Sequence, residues 1–349
     1  MSAQSERDAE ETSGDPAAPA GLVHVSTDMP GWTRRRAGRG FRYLDDSGAP
    51  LSGEDVQRIR ALVIPPAWRD VWICPLPEGH LQATGVDAAG RVQYLYHPLW
   101  REARDREKFQ RIEQTASHLP EVRQRIEADL HLPGLPLERA TAVAVRLLDL
   151  GYFRIGNDYY TDENGSFGLT TLERRHARLQ RGRLVFQFTG KSGVEHRIEV
   201  DDEAAIRAIQ EMRARRSSPR LLSYRLGSRW ANLSSSQVNA YLSEIFEGDF
   251  TAKDFRTWHA TVLAASALAA STESGTSAAS RKRAMAAAAR EVSEYLGNTP
   301  TVARASYIDP RVLRHYEEGR VIDLSALPED ASVERQAELE RRVLDLLHE

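Results

Sequence analysis

Tyr307 stands in "GNTPTVARASYIDPRVL", residues 297–313, with a proline on either side at 300 and 310. A tyrosine either packs as a ring or attacks as an oxyanion, and the second use needs help. A phenol has a pKa near ~10, so only about 0.1% is ionised at neutral pH and an attacking hydroxyl requires cations beside it. Four more polar residues occupy places that are odd for their kinds. Arg154 follows a helix end among aromatics in "GYFRIGNDYY", Lys191 stands in "TGKSG" between two strand-like runs, Arg256 opens an otherwise apolar helix in "TAKDFRTWHA", and Asn298 precedes Tyr307 by nine residues. Arginine keeps its charge and forks oxyanions, whereas lysine can surrender a proton. Each residue alone also has a plain structural account, because guanidiniums stack on rings, asparagine after glycine makes turns and tyrosines fill cores. Taken singly, none decides.

The lysine is the rarer kind in this chain. Arginine supplies 43 of the 47 basic residues, leaving only Lys108, Lys191, Lys253 and Lys282, so a lysine at a hairpin tip either does what a guanidinium cannot or survives by chance. The letters GKS do not make a phosphate loop. That motif needs a glycine five positions before Gly190, where Val185 stands, and a helix after it, where a strand pattern follows.

Residues 21–104 read as strand-rich: "RGFRYLDDSGAPL" and "HLQATGVDAAGRVQYLYHP" are strand pairs around Asp-Ser-Gly and Ala-Ala-Gly turns, and "GEDVQRIRALVIPPAW" is a short helix closed by two prolines. From about 105 to 349 the pattern becomes helical, starting with one long polar helix over 101–135. "LERATAVAVRLLDLGYF" predicts a helix with Ala140, Ala144, Leu147 and Leu148 on one face and Gly151 as its cap. The alanine-rich runs "RTWHATVLAASALAAS" and "SRKRAMAAAAREVSEYL" and the amphipathic "SVERQAELERRVLDLLH" complete the helical part. One hairpin interrupts it, "RLVFQF" and "VEHRIEV" around "TGKSG", with Lys191 at the tip. Thr299 and Pro300 start a short helix, and Asp309 with Pro310 ends it and caps the next, so Tyr307 falls in a last turn beside a break. The expected class is α+β, a small N-terminal β-rich domain followed by a larger, mostly helical one.

Composition bounds the function. With 41% hydrophobic and 28% charged residues, 349 residues are enough for two globular domains. Residues 1–20 are acidic and small without an apolar stretch, which reads as a disordered tail and not a signal peptide, and points to the cytoplasm. Cys74 is the single cysteine, so no internal disulfide forms, and no Cys/His cluster has zinc spacing. The total charge of −3 hides a segregation: residues 1–20 carry −4 and 323–349 carry −5, leaving +6 on 21–322. A basic middle is a mild footprint for a phosphate polymer.

Taken together, Arg154, Lys191 thirty-seven residues later, "KDFRTW" with Arg256, Asn298 and "SYIDP" with Tyr307 resemble, in order and spacing, the active-site set of type IB DNA topoisomerases of the bacterial and poxvirus-like branch. "FRYLDDSG", "VIPPAWRDVWICP", "GHLQATGVDAAGRVQYLYHPLW" and "FRIGNDYY" through "GSFGLTTL" extend the resemblance over nearly the whole chain, apart from residues 1–20. Poxvirus members carry histidine where Asn298 stands, which keeps a hydrogen-bond donor and removes imidazole chemistry at that place. The resemblance implies a catalytic domain of the type IB topoisomerase and tyrosine recombinase kind, acting on double-stranded DNA as a monomeric clamp at the nucleoid, with no metal or cofactor. Tyr307 would attack the scissile phosphate, Arg154, Arg256 and Asn298 would bind its nonbridging oxygens, and Lys191 would protonate the leaving 5′ oxygen, with Lys253 assisting. Gln93, Tyr94, Tyr96, Tyr160 and Lys253 are the implied DNA-binding residues, and arginines of "RRRAGRGFR" either join them or form a solvated basic strand.

Two rival readings belong to other classes. A tyrosine recombinase carries H-x-x-R before its second arginine, where this chain has Lys253-x-x-Arg256, and its N-terminal domain is helical. A DNA-binding module without chemistry has no use for Lys191 at a tip or Asn298 ahead of an exposed tyrosine.

Overall fold

The computed structural model describes residue 19 and residues 21–151, 153–156, 165–215, 217–271, 277–328 and 333–349. The chain divides into two compact units, the first ending at Lys108 and the second running from Phe109 to Glu349.

The first unit is a five-stranded antiparallel sheet in the order β2-β1-β3-β4-β5, built from β1 (Trp32–Ala37), β2 (Gly40–Leu44), β3 (Arg69–Ile73), β4 (Leu81–Val86) and β5 (Val92–Tyr96), with helix α1 (Gly53–Ala61) inserted after β2. Ile59 of α1 meets Val71, Ile73 and Ala83 of the sheet in its core. The Asp87–Gly90 turn joins β4 to β5 as the sequence suggests, with the Asp87 side chain accepting from the Ala89 and Arg91 amides at 2.9 and 3.0 Å. The first strand pair differs. β1 and β2 turn at Gly38 and Arg39, where Gly38 takes φ +58°, while the Asp-Ser-Gly turn only leads β2 out to a bridge between Leu44 and Pro50. The Arg-rich run therefore spans a hairpin. Its Arg34 is a staple and not a phosphate ligand: the guanidinium donates to the carbonyls of Ile64, Pro65 and Trp68 at 2.8–3.1 Å and lies 4.0 Å over the Phe41 ring. Arg35, Arg36, Arg39 and Arg42 stay exposed.

The polar stretch expected as one helix breaks at Ser117 and His118 into α2 (Pro98–Ala116) and α3 (Leu119–Leu130), with Pro120 in the first turn of α3. Helix α4 (Leu137–Gly151) follows. It was expected to bury one face, but Ala140, Ala142, Val143, Ala144, Val145, Leu147 and Leu148 are all essentially inaccessible, so α4 runs through the centre of the second unit's core. The hairpin carrying Lys191 is two strands of a three-stranded antiparallel sheet, β6 (Ala177–Gln180), β7 (Arg183–Thr189) and β8 (Glu195–Val200). After α5 (Glu203–Ala214), a second hairpin that the sequence reading missed pairs β9 (Ser223–Leu226) with β10 (Arg229–Asn232). Helices α6 (Ser235–Ile245), α7 (Ala252–Ala270), α8 (Ala278–Leu296), α9 (Pro300–Ser306), α10 (Pro310–Glu317) and α11 (Val333–His348) complete the unit.

Arg139, Thr141, Arg146 and Asp149 of α4 are buried with partners. Arg123 of α3 donates to both oxygens of Asp149 at 2.8 Å and to both of Glu340 on α11 at 2.7 and 3.0 Å, and His259 of α7 lies 3.3 Å from Asp149. Asp149, His259 and Glu340 are, among the described residues, a group close enough to hold a metal ion, but the Arg123 guanidinium already matches both carboxylates. Burial pushes the Asp149 pKa up, and Arg123 and then His259 more than reverse this, holding it well below the usual carboxylate range. Arg123→Met strands two buried carboxylates and is expected to destabilise the protein by about 3–5 kcal/mol. Asp149's contribution to stability exists above its unfolded pKa of ~3.9 and is lost as pH falls through the lower folded value. Denaturant titrations between neutral and acid pH should therefore show a lower midpoint for the variant and a flatter acid limb.

Candidate active site

Helix α7 brings Arg256 in from its second turn. Its start is held by a capping box in which Asp254 accepts from the Thr251 amide at 2.9 Å, and Arg111 of α2 clamps the same carboxylate through two bonds of 3.0 and 3.2 Å. Arg256 is consequently buried at 5% exposure, a place where a charge needs a reason. Its guanidinium donates to the Leu296 carbonyl at 2.7 Å and lies 5.8 Å from the centre of the Tyr307 ring. Burial, then the nearby Arg154 charge, push its pKa down to about 10, with the Tyr307 hydroxyl pulling the other way; it is still a cation at neutral pH.

Arg154 follows buried Phe153 and donates to the same turn, to the carbonyls of Leu296 at 3.2 Å and Gly297 at 2.8 Å. Two cations thus converge on the last carbonyls of α8, where the helix dipole is negative. Gly297 caps α8 at φ +60°, and the Asn298 amide returns to Ser293 at 3.0 Å, so Asn298 leaves the helix beside both arginines. Among the described residues, Arg154 Nε and both side-chain polar atoms of Asn298 are buried with no hydrogen-bond partner. Orphaned polar atoms of this kind are costly in a finished core and ordinary in a site shaped for a ligand.

Tyr307 caps α9, with Thr299 accepting from Val302 at the other end as the sequence suggests. It is half-buried between exposed Ser306 and buried Ile308. A residue the sequence reading missed fixes its backbone. The Thr261 hydroxyl of α7, buried at 2% exposure, accepts the Asp309 amide at 3.1 Å and lies 3.3 Å from the Tyr307 carbonyl. Asp309 caps α10 and pairs with Arg311, which reaches Glu113 at 2.6 Å. Nothing local singles out Thr261, since Thr257 and His259 are polar in the same stretch of helix.

Lys191 is exposed in a short turn, 191–193, between β7 and β8. Its neighbour Gly190 and the capping Gly297 lie against the same imidazole, that of His196, which sets the root of the hairpin beside Asn298. Arg154, Arg256, Asn298 and Tyr307 are thus gathered directly, and Lys191 through the hairpin. Lys253 is exposed in the first turn of α7, three residues before Arg256.

In the first unit, Tyr94 and Tyr96 share one face of β5, their rings stacked 6.1 Å apart, with Tyr94 exposed. Gln93 lies on the opposite face, where it donates to Asp87 at 3.0 Å. Tyr160 lies outside the described residues.

The model of the eukaryotic DNA topoisomerase I catalytic core matches residues 98–321, and that of the bacterial DNA topoisomerase IB N-terminal domain matches residues 40–87. The chain is similar to DNA topoisomerase 1B of Acanthamoeba polyphaga mimivirus, 28% identical over 83% of this chain and 88% of the relative. It is similar also to DNA topoisomerase 1 of Schizosaccharomyces pombe, 27% identical over 47% of this chain and 19% of that one. DNA topoisomerase 1B of vaccinia virus strain Copenhagen is 20% identical over 69% of this chain and 74% of its own length. With the catalytic-core model spanning well over half of its length, the chain belongs to the type IB DNA topoisomerases.

Proposed function

We propose that the chain relaxes supercoiled duplex DNA through a 3′-phosphotyrosyl intermediate on Tyr307. The observation that supports this most is the Leu296–Asn298 turn, where two guanidiniums converge beside a tyrosine and buried polar atoms of Arg154 and Asn298 lack partners.

The scissile phosphate takes its place against this turn. Arg154 and Arg256 fork its nonbridging oxygens and Asn298 donates an amide N–H, stabilising the charge that grows in the transition state. Arg256, over the ring, also favours the Tyr307 oxyanion as it attacks. The Tyr307 oxygen bonds to phosphorus, the phenolic proton passes to solvent, and the bond to the 5′ oxygen breaks. Lys191 gives that oxygen a proton, which an arginine cannot do, so it leaves as a hydroxyl. One phosphodiester is exchanged for another, and the free 5′ end swivels before it reverses the reaction. No nucleotide hydrolysis is needed, because the bond energy is retained.

Gln93, Tyr94, Tyr96, Tyr160 and Lys253, with the exposed arginines around the β1–β2 turn, lie along the duplex, and the two units of a monomer close on it as a clamp. The setting is the cytoplasm, at the nucleoid. Among the described residues no helix is long and apolar enough to cross a membrane.

Plasmids of either supercoil sign, incubated with the protein in EDTA without ATP, are expected to relax fully. A requirement for magnesium or ATP, or exchange of strands between two duplexes without relaxation, overturns the proposal.

A further inference from the structure

His196 has no chemical step in this scheme, yet it touches the segments that carry Lys191 and Asn298 and reaches that of Arg154 through one further ring. Across the β7–β8 ladder its ring stacks on Phe188, centroids 5.2 Å apart at 23°. Phe188 in turn stacks on Phe153, the residue before Arg154, at 6.0 Å and 12°. The far edge of the imidazole faces two glycines. A Cβ on Gly190, immediately before Lys191, would come within 2.6 Å of both Cδ2 and Nε2 of His196. One on Gly297, immediately before Asn298, would come within 2.6 Å of Cε1. Gly297 has a second reason to be glycine, its φ of +60°, but Gly190 sits at φ −93°, which any residue adopts, so the ring alone accounts for its missing side chain.

We propose that His196 is a positioning residue, a wedge between Gly190 and Gly297 that sets where the Lys191 hairpin stands relative to Arg154, Arg256 and Asn298. This rests on the reading of Lys191 as the general acid. A neutral ring suits the task. Burial, then Arg154 and Arg256, lower the imidazole pKa, with Glu195 opposing, so the wedge adds no third cation at neutral pH. The turn itself closes where Gly190 donates to Val194 at 2.7 Å, and it is the His196 ring that relates this turn to the one at Gly297.

The test uses single-turnover cleavage of two duplexes, one ordinary and one with sulfur at the bridging 5′ position. Thiolate leaves without a proton, so sulfur rescues defects in proton delivery. His196→Ala is expected to slow cleavage of ordinary DNA by up to about 10²-fold, the scale of an ångström-sized misplacement. It should cleave the sulfur duplex within a few-fold of the parent, as Lys191→Ala does. Gly190→Ala should reproduce the defect by pushing the ring, and the pair Gly190→Ala with His196→Ala should be no worse than His196→Ala alone, because the added methyl then has room. Parental rates for His196→Ala on ordinary DNA overturn the proposal. So does failure of sulfur to rescue it while rescuing Lys191→Ala, which assigns the ring to the phosphate or to folding. If sulfur fails to rescue Lys191→Ala itself, the acid assignment falls, and the wedge is then judged by the Gly190 pair, where additive losses overturn it.

Discussion

Tyr307→Phe is expected to bind duplex DNA with parental affinity and to form no covalent adduct. The substitution removes one oxygen and leaves the ring under the Arg256 guanidinium, with the backbone still held by Thr261. In the proposed complex, affinity for a duplex comes mainly from phosphate contacts, which the loss of one phenolic oxygen leaves in place. Cleavage has no other route, so its rate should fall on the order of 10⁶-fold, as when a covalent nucleophile is deleted elsewhere. The check is denaturing electrophoresis of end-labelled duplex after a detergent quench, beside an equilibrium binding titration. Adduct at parental yield from the Phe variant would remove Tyr307 from the chemistry, and lost binding would give the hydroxyl a structural role.

The second large effect belongs to Lys191. Lys191→Ala is expected to slow cleavage of ordinary DNA by roughly 10²–10⁴, the range for a lost general acid. With a bridging 5′ sulfur, whose conjugate acid has a pKa near ~8.5 by analogy with cysteine, the variant should approach the parental rate. Arg154→Ala and Arg256→Ala should gain much less from sulfur. Their guanidiniums converge on the Leu296–Gly297 turn, and their proposed task is to hold nonbridging oxygens, whose charge the substitution does not relieve. Equal rescue of all three variants would mean that the lysine only holds the phosphate, and Lys253, in the first turn of α7, becomes the next residue to examine.

What could be read from the sequence was what local rules govern. Thr299 and Asp309 cap their helices as their spacing to the prolines requires, so the setting of Tyr307 at a helix end followed from neighbours alone. The turn chemistry of Asp87–Gly90 and the hairpin around Lys191 were legible for the same reason. What was hidden depends on residues far apart in the chain. A histidine in an alternating strand gives no sign that it meets Gly190 and Gly297, and a threonine in an alanine-rich helix gives none that it clasps the tyrosine segment. Helix α4 was read with Ala140, Ala144, Leu147 and Leu148 on one face; buried ion pairs such as Arg123 with Asp149 let its polar residues turn inward as well. Arg34 misled in the opposite direction, since one member of a basic run can point into three carbonyls while its neighbours remain exposed.

The most direct measurement is the identity of the covalent link itself. A duplex carrying a cleavable site and labels on both ends, incubated with the protein in EDTA and quenched with detergent, yields an adduct that can be digested and mapped. The account predicts one modified peptide, from the segment Thr299–Arg311, with Tyr307 joined to a 3′ phosphate and a free 5′ hydroxyl on the departing strand. Linkage to a 5′ phosphate, or attachment at any other residue, would contradict it.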